Sequence, residues 1–220
     1  VIHNIAKGVH LLSLASDAFA WRTEVHHDSL GNTLIEVDKS GPDANDPANG
    51  DESGKWLFRN LTDERGQRMG EEAITFARYF AYVGPKTPYP LTISPRRAVD
   101  GPEDPTLLQH WLFAGTNLVV GERIPDVLAG DLDAINPASN LPAHKDLVIV
   151  HSEVDWGHDP PVVPNDMVLL ERPSGQLTFH TGTWYLAKVM MSNAPAAPKL
   201  RRLVSNVLGR MLGTPYDLPH

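Results

Sequence analysis

The sequence predicts an α+β fold, with an antiparallel sheet or barrel formed mainly by the C-terminal half and helices over 71–83 and 198–212 packed against it. Three observations point there. From Leu147 onward, short apolar runs alternate with turn residues. Met167 to Glu171 and Gln176 to His180 flank Pro173-Ser174-Gly175, the pattern of a hairpin. Leu200, Leu203, Val204, Val207, Leu208, Met211 and Leu212 recur at helical spacing before Gly213 and Pro215, which stop a helix.

The elements follow in order. Residues 8–22 are apolar enough for either a helix or a buried strand, and periodicity does not separate the two. Ala18-Phe19-Ala20 has the outline of a cleavage site, but Asp17 and the weak apolar run before it favour reading it as structure. Asn32 to Val37 reads as a strand entered from the turn at Gly31. Residues 38–54 offer turn residues and oxygen ligands but almost nothing to bury, so they form an exposed loop. Their spacing does not match a calcium-binding EF-hand loop.

Glu71 to Val83 reads as a helix with acids in its first turn and Gly84-Pro85 behind it. The proline-rich segment 85–105 is extended and marks a boundary within a single domain of 1–220. Thr106 to Ala114 reads as a short helix, Leu118 to Val120 and Leu147 to Val150 as strands, and the region of Pro125 to Ile135 as a helix between them. Trp184 to Met191 is apolar enough to be a buried strand.

Composition excludes several functions. The formal net charge is −8, which argues against a nucleic-acid backbone as the main partner. No run approaches the roughly 20 apolar residues a membrane span requires. With no cysteine there is no disulfide, thiolate ligand or cysteine nucleophile, although this leaves the compartment open.

Chemistry therefore rests on the ten histidines and the acids. His144, His151 and His158 lie seven residues apart, and His26-His27-Asp28 groups two imidazoles with a carboxylate. Adjacent strand residues point to opposite faces, so that pair shares an ion only in a turn. Asp131-Leu132-Asp133 is a bare Asp-x-Asp pair, too common a pattern to carry weight alone. No GxSxG elbow, phosphate loop or HExxH motif is present.

The most distinctive run is Gly175-Gln176-Leu177-Thr178-Phe179-His180-Thr181-Gly182-Thr183-Trp184. Alternation puts Thr178 and His180 on one face of a strand and Leu177 and Phe179 on the other. With the preceding strand and acidic connector, residues 146–190 resemble cupins, and more narrowly the ureidoglycolate lyase family. The resemblance implies a cupin-like barrel and an enzyme acting on a small polar carboxylate, in its sharpest form a metal-dependent lyase. His180 and Tyr185 take the catalytic positions, Tyr185 standing where that family places a histidine. Thr178 and Trp184 meet the substrate, and a divalent transition metal, where one is used, rests on His144, His151 and His180.

The competing reading is a non-catalytic binding or assembly protein. Its long loops and amphipathic C-terminal helix, rimmed by Arg201, Arg202 and Arg210, would contact a protein partner or a second copy. A cavity with converging polar groups separates the two readings, because the enzyme needs one.

Overall fold

Strand-forming runs and turn glycines, more than helices, organise this chain. The structure is a computed structural model describing residues 9–14, 23–27, 33–37, 77–83, 88–98, 100–135, 147–158, 161–172 and 174–218. The loop 38–54, residues 71–76 and His144 lie outside the described residues.

Among the described residues eleven strands are assigned: β1 Leu11–Ser13, β2 Thr23–His27, β3 Thr33–Val37, β4 Arg78–Val83, β5 Tyr89–Thr92, β6 Pro95–Arg96, β7 Arg123–Leu128, β8 Gly130–Ala134, β9 Leu147–Asp155, β10 Val162–Glu171 and β11 Leu177–His180. Two helices follow, α1 Tyr185–Met190 and α2 Ala197–Leu212. The central sheet has five strands in the order β1-β11-β10-β9-β6. It is antiparallel except where β1 runs parallel to β11. Three two-stranded antiparallel ladders, β2-β3, β4-β8 and β5-β7, complete the strands. The fold is thus α+β with an antiparallel C-terminal sheet. The cupin-like barrel is a correction, since no barrel closes among the described residues.

The sheet is buried on both faces, which explains why Leu147-Val148-Ile149-Val150 and Met167-Val168-Leu169-Leu170 are unbroken apolar runs. Val148, Val150, Met167, Leu169, Leu177 and Phe179 join the larger core with residues of β5, β7, α1 and α2. Leu147, Ile149, Val168 and Leu170 pack with Ala77 and Ile135 on the other side. The expected hairpin is present in register, with Glu171 opposite Leu177 and Val168 opposite His180. The terminal helix is present too. Leu200, Leu203, Val204 and Val207 are buried, and Gly213 (φ 69°) closes the helix by donating to the Gly209 carbonyl.

Five local expectations are corrected. Residues 78–83, the second half of the expected helix 71–83, form β4 paired with β8. The run Arg78-Tyr79-Phe80-Ala81-Tyr82-Val83 has the aromatic and β-branched residues that strands favour. The expected helix around Pro125–Ile135 is instead β7 and β8, separated by a reversal at Gly130 (φ 72°). Residues 118–120 lie in no strand, in a connection bent by Asn117 (φ 55°) and Gly121 (φ 76°). Residues 185–190 are helix α1 rather than strand. Gly182 (φ 69°) turns the chain out of the sheet, and the Thr183 hydroxyl accepts the Tyr185 N–H at 3.3 Å. Tyr185, Leu186, Val189 and Met190 then bury one helical face. The expected short helix over 106–114 is two 3-10 turns, Pro105–Gln109 and Trp111–Phe113.

The first of those turns carries a pH-sensitive cap. Asp104 Oδ1 accepts the Thr106 hydroxyl at 2.6 Å and the Thr106 N–H at 3.0 Å, while Arg97 Nε donates to Oδ2 at 3.2 Å. The Thr106 hydroxyl bond does most to hold the Asp104 carboxyl below its ordinary pKa; desolvation opposes it, and the Thr106 N–H and Arg97 reinforce it. A depressed carboxylate stabilises the fold above its unfolded pKa, and that contribution disappears as pH falls through the folded value. The turn is therefore expected to stay capped through the mildly acid range and to loosen only below the ordinary carboxylate range. Hydrogen exchange of the Thr106 amide, followed against pH, checks this.

Candidate functional site

Pairing register brings three of the sequence-predicted residues to one sheet face. His151 lies opposite Asp166, and His180 opposite Val168. Cross-strand partners share a face, as do residues two apart. His151, Asp166, Val168, Thr178 and His180 therefore occupy the same side. His151 and His180 are two strands and two residues apart, roughly 12 Å between Cα atoms. Each is held by its own carboxylate.

The inner pair is His180 with Asp133, Nε2 to Oδ2 at 2.9 Å, both side chains with no exposed surface. Asp133 sits on β8, and its N–H donates to the Gly182 carbonyl at 2.9 Å. Asn165 Nδ2 donates to the same carbonyl at 2.7 Å and to the Asp133 carbonyl at 3.3 Å. Next to this, Asp166 Oδ2 accepts the Ile135 N–H at 2.8 Å. Side chains of β10 thus bond main-chain groups at the end of β8 and just beyond it. These bonds form a polar seam fastening the β4-β8 ladder to the central sheet, as buried polar groups require.

The outer pair is His151 with Asp166, Nδ1 to Oδ1 at 2.7 Å. An ionised carboxylate only accepts, so Nδ1 carries the proton and Nε2 faces outward. The His151 side chain is 13% exposed against 2% for Asp166, and Nε2 lies 3.5 Å from Glu153 Oε1. An imidazole oriented from behind by a carboxylate, with its second nitrogen toward solvent, has the geometry of a general base.

The other sequence-predicted residues are placed differently. Thr178 is fully buried and accepts from Arg172 Nη1 at 3.2 Å. Partial burial pulls the Arg172 guanidinium below its ordinary pKa. The face carrying Thr178 and His180 therefore meets packed side chains instead of an open cavity. Tyr185 begins α1, buried, with its ring 4.1 Å from that of Trp184 and Lys188 Nζ 4.4 Å above it. Trp184 is half-exposed. His144 lies outside the described residues, among which no group of three or more acids and histidines is arranged to hold a metal ion.

Sequence reasoning did not single out Asp166, Asn165 or Gly182, and it set aside Asp133. The available signal was polarity: Asn165-Asp166 interrupts an otherwise apolar strand, where an unpaired polar residue is costly.

The family model described as N,N-dimethylformamidase beta subunit-like, C-terminal, matches residues 2–196. Comparison with curated proteins gives no match. The family match spans the segment 146–190 and corrects its resemblance to cupins of the ureidoglycolate lyase family, and the structure agrees in running helix α1 through 185–190. Since residues 2–196 make up most of the 220, the chain belongs to the N,N-dimethylformamidase beta subunit-like family, in the C-terminal region of that family's proteins.

Proposed function

We propose that this chain is part of an enzyme subunit that hydrolyses the C–N bond of a small N-substituted formamide. The observation that carries the reading is the family match over residues 2–196. In the reaction, a water oxygen attacks the formyl carbon and gives up its proton to a base. The C–N bond then breaks, the amine leaves with a proton, and formate remains.

Among the described residues, the His151–Asp166 pair best supports the role of base. Asp166 fixes the ring and stabilises the imidazolium formed when Nε2 takes a proton from water. A divalent transition metal, were one bound, would supply a Lewis acid for the formyl oxygen, and its ligands would be side chains other than His151, whose Nε2 is the base.

The test uses the natural full-length polypeptide with N,N-dimethylformamide, measuring dimethylamine release and metal content. His151→Asn is expected to lower kcat by roughly 100-fold or more while leaving the circular dichroism spectrum unchanged. Absence of dimethylamine from the wild type would remove the substrate reading. Full activity in the variant would remove His151 as the base and leave the substrate reading standing.

The second reading, a binding or assembly role, is favoured by exposed apolar side chains just after α1 and at the end of α2. Met191 is 86% exposed and Leu212 is 59% exposed. A protein partner or a second copy of the chain would cover them, and sedimentation of the purified protein over a concentration series checks for self-association.

A further inference from the structure

Beside the first turns of α2 lies a cleft of about 350 Å³, at the lower end of the size range of small-molecule sites. Lys199, Arg201, Arg202 and Asp217 line it, with Thr116 and Asn117 on the facing turn. Each cation is differently engaged. Lys199 Nζ is 2.6 Å from Glu122 Oε1 and also donates to the Asn117 carbonyl at 3.0 Å. Arg201 Nη1 donates to the Met190 carbonyl at 2.7 Å, and among the described residues no carboxylate meets its guanidinium. Arg202 Nη1 donates to Asp217 Oδ1 at 2.6 Å.

Two carboxylates thus face three cations, which makes the cleft locally positive in a chain of net charge −8. The Arg202–Asp217 pair is open to water, its side chains 46% and 73% exposed, and an ion pair of that kind is weak. Asp217 lies beyond the Gly213 reversal, where the Leu218 N–H reaches back to the Ser205 hydroxyl at 3.0 Å. The chain's own segment therefore lays one carboxylate into the cleft.

We propose that this cleft binds a small carboxylate between Arg201 and Arg202, and that Asp217 is an internal competitor occupying the Arg202 end. Arginine forks match carboxylate geometry, and Asp217 shows that the cleft admits one. The proposal does not depend on the hydrolytic reading, because no residue of the His151–Asp166 pair takes part.

Acetate titrated calorimetrically into the full chain at constant ionic strength tests it. Asp217→Asn is expected to bind acetate roughly two- to fivefold more tightly than wild type, the factor set by loss of an exposed ion pair. Arg201→Gln is expected to bind roughly tenfold or more weakly, having lost a charge-assisted hydrogen bond. No acetate binding in wild type or Asp217→Asn would overturn the proposal, as would unchanged affinity in Arg201→Gln. Tighter binding of inorganic phosphate than of acetate would overturn the assignment to a carboxylate.

Discussion

Gly182→Ala is expected to cost the protein roughly 2–5 kcal/mol, the sum of a left-handed backbone penalty and overpacking in a closed site. Gly182 has φ 69°, and a Cβ there would lie 2.6 Å from Asn165 Nδ2, 2.6 Å from the Asp166 carbonyl oxygen and 3.0 Å from the Asp133 carbonyl oxygen. Two of the three obstacles are backbone, which cannot swing aside as the end of a side chain can. Moving Asn165 would also break its bonds to the Gly182 and Asp133 carbonyls, a loss inside a buried site. Urea denaturation would show the loss as a lower midpoint. A midpoint within experimental error of wild type would mean that the seam around Gly182 is far more compliant than its distances indicate.

His180→Ala is expected to have a comparable effect, roughly 3–5 kcal/mol, because it removes the imidazole from a carboxylate in a place with no access to water. Asp133 and His180 have no exposed side-chain surface, so solvent cannot take the place of the lost partner. The double substitution Asp133→Ala with His180→Ala is expected to cost less than the sum of the two singles, since the second removal takes away the carboxylate that has lost its imidazole. Additivity in that double-mutant cycle would show that the pair does not act as a unit. The catalytic expectation for His180 predicts something else, a fall in kcat with the denaturation midpoint unchanged.

How far the sequence was legible depended on whether a signal was local. The hairpin, its turn and α2 were readable because Gly175, Gly213 and the apolar spacing act within a few residues. The same local reading failed at 78–83 and 123–134, where the deciding partner is distant, and at 185–190, where a nearby turn decides. β4 is a strand because β8 pairs with it, and α1 is a helix because Gly182 redirects the chain away from β11. The candidate site behaved likewise. His151, Thr178 and His180 could be named from sequence, and the shared face of Thr178 and His180 followed from alternation. The carboxylates behind the imidazoles could not be assigned, since His180 finds Asp133 47 positions away and His151 finds Asp166 across a hairpin 15 positions long. Burial was also out of reach, and it separates the sealed pair from the one near solvent.

The parallel pairing of β1 with β11 has a temporal consequence. Gln176 Nε2 donates to the Val9 carbonyl at 2.6 Å and the Leu177 N–H to His10 Nδ1 at 3.0 Å, each contact linking residues 167 apart. At ribosomal speeds, β1 leaves the peptidyl-transferase centre roughly ten to thirty seconds before its partner exists. The hairpin of β10 and β11 can zip early, being local, but its outer edge then waits for a strand that must return from far along the chain. From its synthesis until β1 docks, β11 presents unpaired backbone and the apolar Leu177 and Phe179 to any neighbouring nascent chain. Docking of β1 is thus expected to be the late step of folding, and the interval before it the period of greatest risk of aggregation.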